Sequence, residues 1–436
     1  MRKRQTALAA MAAAALVLGG CSAGSLGSSA EGGGKVSLTF LVDNGELTVK
    51  TADQLAKDFS AKNPDITIKV ESRPQGTDGD NLIKTRLATG NMDDVFEYNT
   101  GSLFQAIAPE KNLVSVNDAA WVSTLDKNFS TTVTSNGQVY GAPWGGFMAG
   151  AILYNRTVYT KLGLQVPKTW DDFIANSNKI KAAGIAPVIQ SYGDTWTSQL
   201  FVLGDFHNVS AADPQFADAY TKNQAKYATT PAATAGFAHL QQVHDQGLEN
   251  KDYASAKLTD ALHELAAGQG AQYPILSSVI SQVAADTPDK VNDIGLFPIP
   301  GADAASNGLT VWSPAGVYLP KSTTGAKLDA AKKFLAFIAS PDGCNSQATA
   351  GTPTGPFAVK GCTLPATVPQ VVKDMQTYID SGASSLALEF LSPVKGPSLE
   401  QICVEVGSGI RKAAPAAALY DEDVKKQAQQ LGLAGW

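Results

Sequence analysis

From residue 36 onward the chain alternates short β-rich runs with helical stretches, and this alternation narrows its possible folds more than any other feature. Residues 36–42 (Val-Ser-Leu-Thr-Phe-Leu-Val) form a β-rich run ending at Asp43-Asn44-Gly45. Residues 51–59 carry Leu55 and Phe59 four apart and stop at Asn63-Pro64, which predicts a helix. Ile66, Ile68 and Val70 alternate with Thr67 and Lys69 as in a half-buried strand. A helix over 82–87 and a strand over 94–99 follow. Strand, helix, strand, helix, strand predicts right-handed βαβ units and a largely parallel sheet.

A second unit of the same kind begins near Ala149. Residues 151–155 read as a strand, and Pro167-Lys168-Thr169-Trp170-Asp171-Asp172-Phe173 opens a helix. Thr169 and Asp172 have capping-box spacing, with Asp where Glu or Gln is usual. Residues 185–189 read as the next strand, and Asp194-Thr195-Trp196 stands at the start of another helix. Ala331, Phe334, Leu335 and Ile338 fall at i, i+3, i+4, i+7 before Ser340-Pro341, a further helix. With 436 residues, 44% of them hydrophobic and 17% charged, the chain can bury a large core. A formal net charge of −6 with no long basic stripe argues against a general nucleic-acid binder.

The amino terminus reads as an address. Arg2, Lys3 and Arg4 precede an apolar stretch from Ala7 to Leu18, too short to span a bilayer, and then Leu18-Gly19-Gly20-Cys21. This resembles the bacterial lipoprotein signal, which implies cleavage after residue 20 and a lipid on Cys21; an ordinary secretory signal with a chance Cys is the alternative. Losing the three basic residues takes the net charge from −6 to −9. Residues 22–35, rich in Gly and Ser, would then form a tether with a reach of roughly 20 Å. Cys344, Cys362 and Cys403 remain. Cys344–Cys362 closes a short loop and is the favoured disulfide, although all three pairings are open.

Signals for catalysis or metal binding are weak. Gly20-Cys21-Ser22-Ala23-Gly24 matches a nucleophile-elbow pattern, but without a strand or helix around it. His207, His239, His244 and His263 make no H-E-x-x-H, and each is expected to be a surface or satisfied polar residue. Asp78-Gly79-Asp80-Asn81 begins like a calcium loop, but Leu82 takes the next ligand position. No cofactor, metal or catalytic residue is assigned.

Several segments taken in order carry a resemblance. They are Gly137-Gln138-Val139-Tyr140-Gly141-Ala142-Pro143-Trp144, Leu153-Tyr154-Asn155-Arg156, and Leu162-Gly163-Leu164 with Val166-Pro167 through Phe173. Downstream come Ala267-Gly268-Gln269-Gly270-Ala271, Trp312-Ser313-Pro314-Ala315-Gly316, and Ala331-Lys332-Lys333-Phe334-Leu335 leading to Ser340-Pro341-Asp342-Gly343. Together they resemble the extracellular solute-binding proteins of ABC importers, in particular the carbohydrate-binding family that includes maltose-binding protein. A Cys-bearing segment over 344–362 is not part of that resemblance.

The resemblance implies an α/β, two-lobed periplasmic-binding-protein-like fold with a ligand cleft between the lobes and three hinge crossings. The crossings would fall near Phe147-Met148-Ala149, near Trp312 to Gly316, and between Pro365 and Tyr378. Lobe 1 is then 36–147 with 314–370, and lobe 2 is 148–313 with 371–436. The implied function is capture of a carbohydrate, leaning to oligosaccharide, and delivery to a membrane permease. The chain would act as a lipid-anchored monomer on the outer face of the bacterial cytoplasmic membrane. A secreted lipid-anchored glycoside hydrolase, or a binding protein for another solute, is the alternative.

A pyranose offers C–H faces to flat aromatic rings and hydroxyls to planar polar groups. Candidates are therefore aromatics and Asp or Asn at strand C-termini and helix starts. Trp144, Trp196, Tyr273 and Trp312 are expected to stack on sugar, and Asp43, Asn44 and Asn99 to bind hydroxyls, with Tyr98 beside Asn99. Trp170 and Tyr154 are expected in the core, and Trp121 and Trp436 in structural roles.

Overall fold

The computed structural model describes residues 35–436. The expected signal segment, Cys21 and all but the last residue of the expected tether lie outside the described residues. Among those described, no helix is long and apolar enough to cross a membrane.

Thirteen strands are present among the described residues: β1 (Val36–Asp43), β2 (Ile66–Arg73), β3 (Val95–Tyr98), β4 (Thr134–Ser135), β5 (Gln138–Val139), β6 (Gly141–Trp144), β7 (Met148–Asn155), β8 (Ala186–Val188), β9 (Gly270–Leu276), β10 (Ile294–Phe297), β11 (Leu309–Trp312), β12 (Ala315–Tyr318) and β13 (Ser384–Leu386). They build two larger sheets, one per lobe, and a small ribbon of β4 and β5. The first sheet has the order β2-β1-β3-β12-β6. The second runs β13-β11-β7-β9-β8, with β10 also paired to β7.

The expected parallel pairing holds for β2, β1 and β3, which alternate with the helices Glu46–Lys62 and Gly76–Thr89. It fails elsewhere. Strand β12 is antiparallel to both β3 and β6, and β7 is antiparallel to β9, β10 and β11. The reason is topological. Strands β6 and β7 are separated by only three residues, and β11 and β12 by only two, so each pair carries the chain straight from one sheet into the other. These two passages lie side by side: Trp144 pairs with Ala315 before the gap, and Met148 pairs with Trp312 after it. The segment 357–359 bridges to Gly146 and Leu125 of the first sheet's side. The helix Gln370–Asp380 sits against the second sheet, where Asp374 accepts from Leu296 N at 2.9 Å.

Leu38, Phe40 and Val42 on β1 are fully buried and pack against the helix Gly325–Ile338 through Phe40 and Phe334, 5.3 Å between ring centroids. The helix Trp170–Ala182 starts in a true capping box despite its Asp: Asp172 N donates to Thr169 Oγ1 at 3.2 Å, and Thr169 N donates to Asp172 Oδ2 at 3.3 Å. Trp170 is buried as expected, with its ring stacked on His239 at 3.7 Å. His239 thus departs from its expected surface or satisfied role. Its Nδ1 has no partner among the described residues, and burial pushes its pKa down to about 3, so it is a neutral core ring. Residues 78–81 lie within the helix Gly76–Thr89 and form no ion loop. Cys344 and Cys362 are disulfide-bonded, and Cys403 is a buried thiol.

Candidate functional site

At the exit of β1 the Asp43 carboxylate organises the next helix. Its Oδ1 accepts from Gly45 N at 2.7 Å and from Gln75 Nε2 at 2.9 Å, and Thr48 Oγ1 lies 3.4 Å from Oδ2. Asn44 is exposed, with its amide N donating to Arg73 O at 2.8 Å. At the exit of β3, Asn99 is exposed, and its carbonyl accepts from Tyr318 Oη at 3.1 Å. Tyr98 is fully buried instead. Its hydroxyl has no partner among the described residues, its pKa is raised by burial, and the Arg73 guanidinium lies 5.7 Å from its ring centroid. Arg73 and Glu97 form a buried pair at 3.1 Å beneath these turns. Burial pushes the Glu97 pKa up to about 7 against the opposing pull of Arg73.

The turn after β3 touches the other sheet's side. Thr100 Oγ1 donates to Pro314 O at 3.1 Å, and Gly101 packs on Phe390. Gly101 has φ +66°, and a Cβ there would stand 2.7 Å from Phe390 Cδ1, so both the conformation and the space favour glycine.

Where β6 passes into β7, Trp144 is half-buried, with its ring edge-on to Phe40 at 5.7 Å. Its open side looks into a hollow lined also by Leu47, Thr48, Thr51, Gln347 and Phe357. Thr48 ties this hollow to the Asp43 turn. Where β11 passes into β12, Trp312 is 7% exposed, and its indole N–H donates to Glu389. Glu389 is in turn paired with Lys395 at 3.3 Å. Trp196 lies in the short 3-10 helix Thr195–Gln199 and is half-buried.

Tyr273 is fully buried on β9, and its hydroxyl lies 2.5 Å from Ser191 Oγ. Neither Tyr273 nor Tyr98 presents a ring face, which corrects the expectation that they contact ligand. The cause is that both faces of β3 and β9 are covered, with every residue of β3 and all but the last of β9 buried. Asp43 is linked to the Trp144 hollow through Thr48, and Asn44 follows it in the chain. Asn99 and Trp312 approach the paired passages, and Trp196 stands apart on the second sheet's side. Sequence reasoning missed Thr48, Gln75, Gln347, Phe357, Glu389 and Lys395. The Gly-Thr-Pro-Thr-Gly-Pro run at 351–356 announces a loop beside Phe357, whereas Glu389 carries no local signal, its partner Trp312 being 77 residues away. Among the described residues no group of three or more His, Cys, Asp or Glu side chains is arranged to hold a metal ion.

Residues 45–343 match the family described as bacterial extracellular solute-binding protein. The chain is 26% identical over 309 residues to the multiple sugar-binding protein of Streptococcus mutans, covering 70% of this chain and 71% of that protein. It is 24% identical over 352 residues to the melibiose/raffinose/stachyose-binding protein MelE of Bacillus subtilis, covering 79% of each. Among solved structures, a Bacillus subtilis binding protein, MsmE, in an open conformation superposes with a TM-score of 0.74 at 20% identity, covering 91% of this chain and 99% of that one.

Proposed function

The chain belongs to the bacterial extracellular solute-binding protein family, and from that premise we propose that it is the carbohydrate-capturing component of an ABC importer, with oligosaccharide as its ligand. The observation that carries this reading is Trp144. Its indole opens onto a hollow on the first sheet's side, beside the passage at Gly145 and Gly146, with the hydroxyl-bearing Thr48 and Thr51 in the same lining. A flat apolar face beside hydroxyl groups suits a sugar ring. The names of both relatives point the same way, one to multiple sugars and the other to melibiose, raffinose and stachyose.

In this reading Trp144, Trp196 and Trp312 supply apolar surface, and Asp43, Asn44 and Asn99 meet hydroxyls. Glu389 and Gln75 hold Trp312 and Asp43 in place. Lobe 1 comprises 36–147 and 314–370, and lobe 2 comprises 148–313 and 371–436. Bending at the paired passages lets both lobes contact the sugar together, so ligand stabilises the closed form. The family works outside the cytoplasm. We place this member on the outer face of the bacterial cytoplasmic membrane, held as a monomer by a lipid on Cys21 and presenting closed, sugar-loaded lobes to a permease. It binds its ligand without turning it over.

Calorimetry with melibiose, raffinose, stachyose and maltotriose tests the reading, with chromatography of the sugars afterwards. Micromolar or tighter binding of at least one, with the sugar recovered intact and a smaller radius of gyration in its presence, is expected. No heat with any of them, or cleaved sugar, overturns it.

A further inference from the structure

The disulfide between Cys344 and Cys362, 18 residues apart, closes a segment that begins on the helix Pro341–Ala350 and continues to 362 without helix or strand. This segment grips the first passage between the sheets at three consecutive residues. Gly145 N donates to Gln347 Oε1 at 2.8 Å, Gly146 bridges to Phe357, and Phe147 N donates to Pro356 O at 2.8 Å. The approach is close: a Cβ on Gly355 would lie 1.7 Å from Phe147 O. The same segment is held from behind, where Asp126 N donates to Ala358 O at 2.9 Å and Lys360 N donates to Thr124 O at 2.7 Å. It also supplies the far wall of the Trp144 hollow, through Gln347, Gly351, Thr352, Pro353, Thr354 and Phe357.

An irregular stretch of this kind keeps one course only if something limits its freedom, and a cross-link at its ends does so. We infer that the Cys344–Cys362 disulfide is a positioning device for the ligand site, setting both the wall facing Trp144 and the course of residues 145–147. The inference rests on the reading above that this hollow receives sugar. Its structural part stands independently of which sugar binds. Without the bond, the segment keeps its hydrogen bonds but gains the freedom to lift from them. The helix Pro341–Ala350 keeps its cap, Gly343 N donating to Ser340 Oγ at 3.3 Å.

The test compares the native protein with C344S/C362S by hydrogen exchange and by calorimetry with the tightest sugar among melibiose, raffinose and stachyose. The amides of 145 and 147 are expected to exchange at least tenfold faster in the variant, those of 40–42 unchanged, and affinity to fall at least fivefold. Unchanged exchange at 145 and 147 overturns the inference whatever the sugar does. Faster exchange with unchanged affinity overturns the ligand-site part. Absence of sugar binding by the native protein overturns the functional reading instead, and the exchange data still decide the grip. If the double variant fails to fold, the native protein held in reductant, with both thiols shown free by alkylation, takes its place: faster exchange at 145 and 147 supports the grip, and unchanged exchange ends it.

Discussion

Tyr273 and Ser191 hold their hydroxyl oxygens 2.5 Å apart in the interior of the second lobe, and Ser191 Oγ donates onward to Thr197 Oγ1 at 3.0 Å. Thr197 follows Trp196 directly, and its own hydroxyl reaches Ser191 O at 2.9 Å. Tyr273 is therefore a strut under the turn that displays Trp196. Tyr273→Phe removes one buried hydrogen bond, at a cost of about 1 kcal/mol, and is expected to weaken sugar binding about threefold. Trp196→Ala is expected to weaken it about tenfold or more with less effect on stability. Urea melts and calorimetry read both, and an affinity of Trp196→Ala equal to that of the native protein would remove Trp196 from the site.

Trp144→Ala takes away the ring that faces the hollow. Loss of about 1.4 kcal/mol of binding, a tenfold rise in Kd, is expected, because the ring contributes both apolar area and shape. Titration with the best sugar checks it, and an unchanged Kd would move the ligand elsewhere.

Arg73→Met leaves Glu97 buried without its cation. Breaking a buried pair on one side costs about 3 kcal/mol, and the penalty should be larger at pH 8 than at pH 5.5, where Glu97 is protonated. Adding Glu97→Gln should recover part of it. Urea unfolding at the two pH values measures this, and a pH-independent loss would contradict it.

Glu264 has its pKa pushed up to about 7, first by burial and then by the Asp252 charge. The folded protein then retains a proton that the unfolded chain releases near pH 4.5, the ordinary value. The stability this group contributes is full below that pH and is lost as pH rises through about 7. Glu264→Gln should flatten the decline, so that between pH 5 and pH 8 its Tm falls less than that of the native protein. Parallel Tm curves would refute the assignment.

Gly101→Ala forces a side chain into a left-handed conformation and against Phe390. A loss of about 2 kcal/mol is expected, partly restored by Phe390→Ala in the same chain. Failure of the second change to help would mean that backbone strain alone is responsible.

Much of the fold was legible because its cause is local. The alternation that draws Ile66, Ile68 and Val70 away from solvent and leaves Thr67 and Lys69 exposed is written in five adjacent residues, and the capping box at Thr169 needs only three steps along the chain. Strand direction in the second sheet was not legible, because it depends on Met148 meeting Trp312 far along the chain. The placement of Asp43, Asn44 and Trp144 at or just beyond strand ends was readable from the sequence. Tyr273 was not, since β9 is covered on both faces and an aromatic there reads alike whether it points in or out. Glu389 was silent for the same long-range reason.

The brevity of the two passages has a mechanical consequence. Residues 145–147 and 313–314 together offer about nine soft backbone torsions, Pro314 having one of its own fixed. Two such ribbons running abreast resist shear and twist while yielding to flexion about the line that joins them. Any large rearrangement of the halves is thereby funnelled into one coordinate, and an amino-acid change at Phe147, Ser313 or Pro314 would alter its stiffness without touching the lining of the Trp144 hollow.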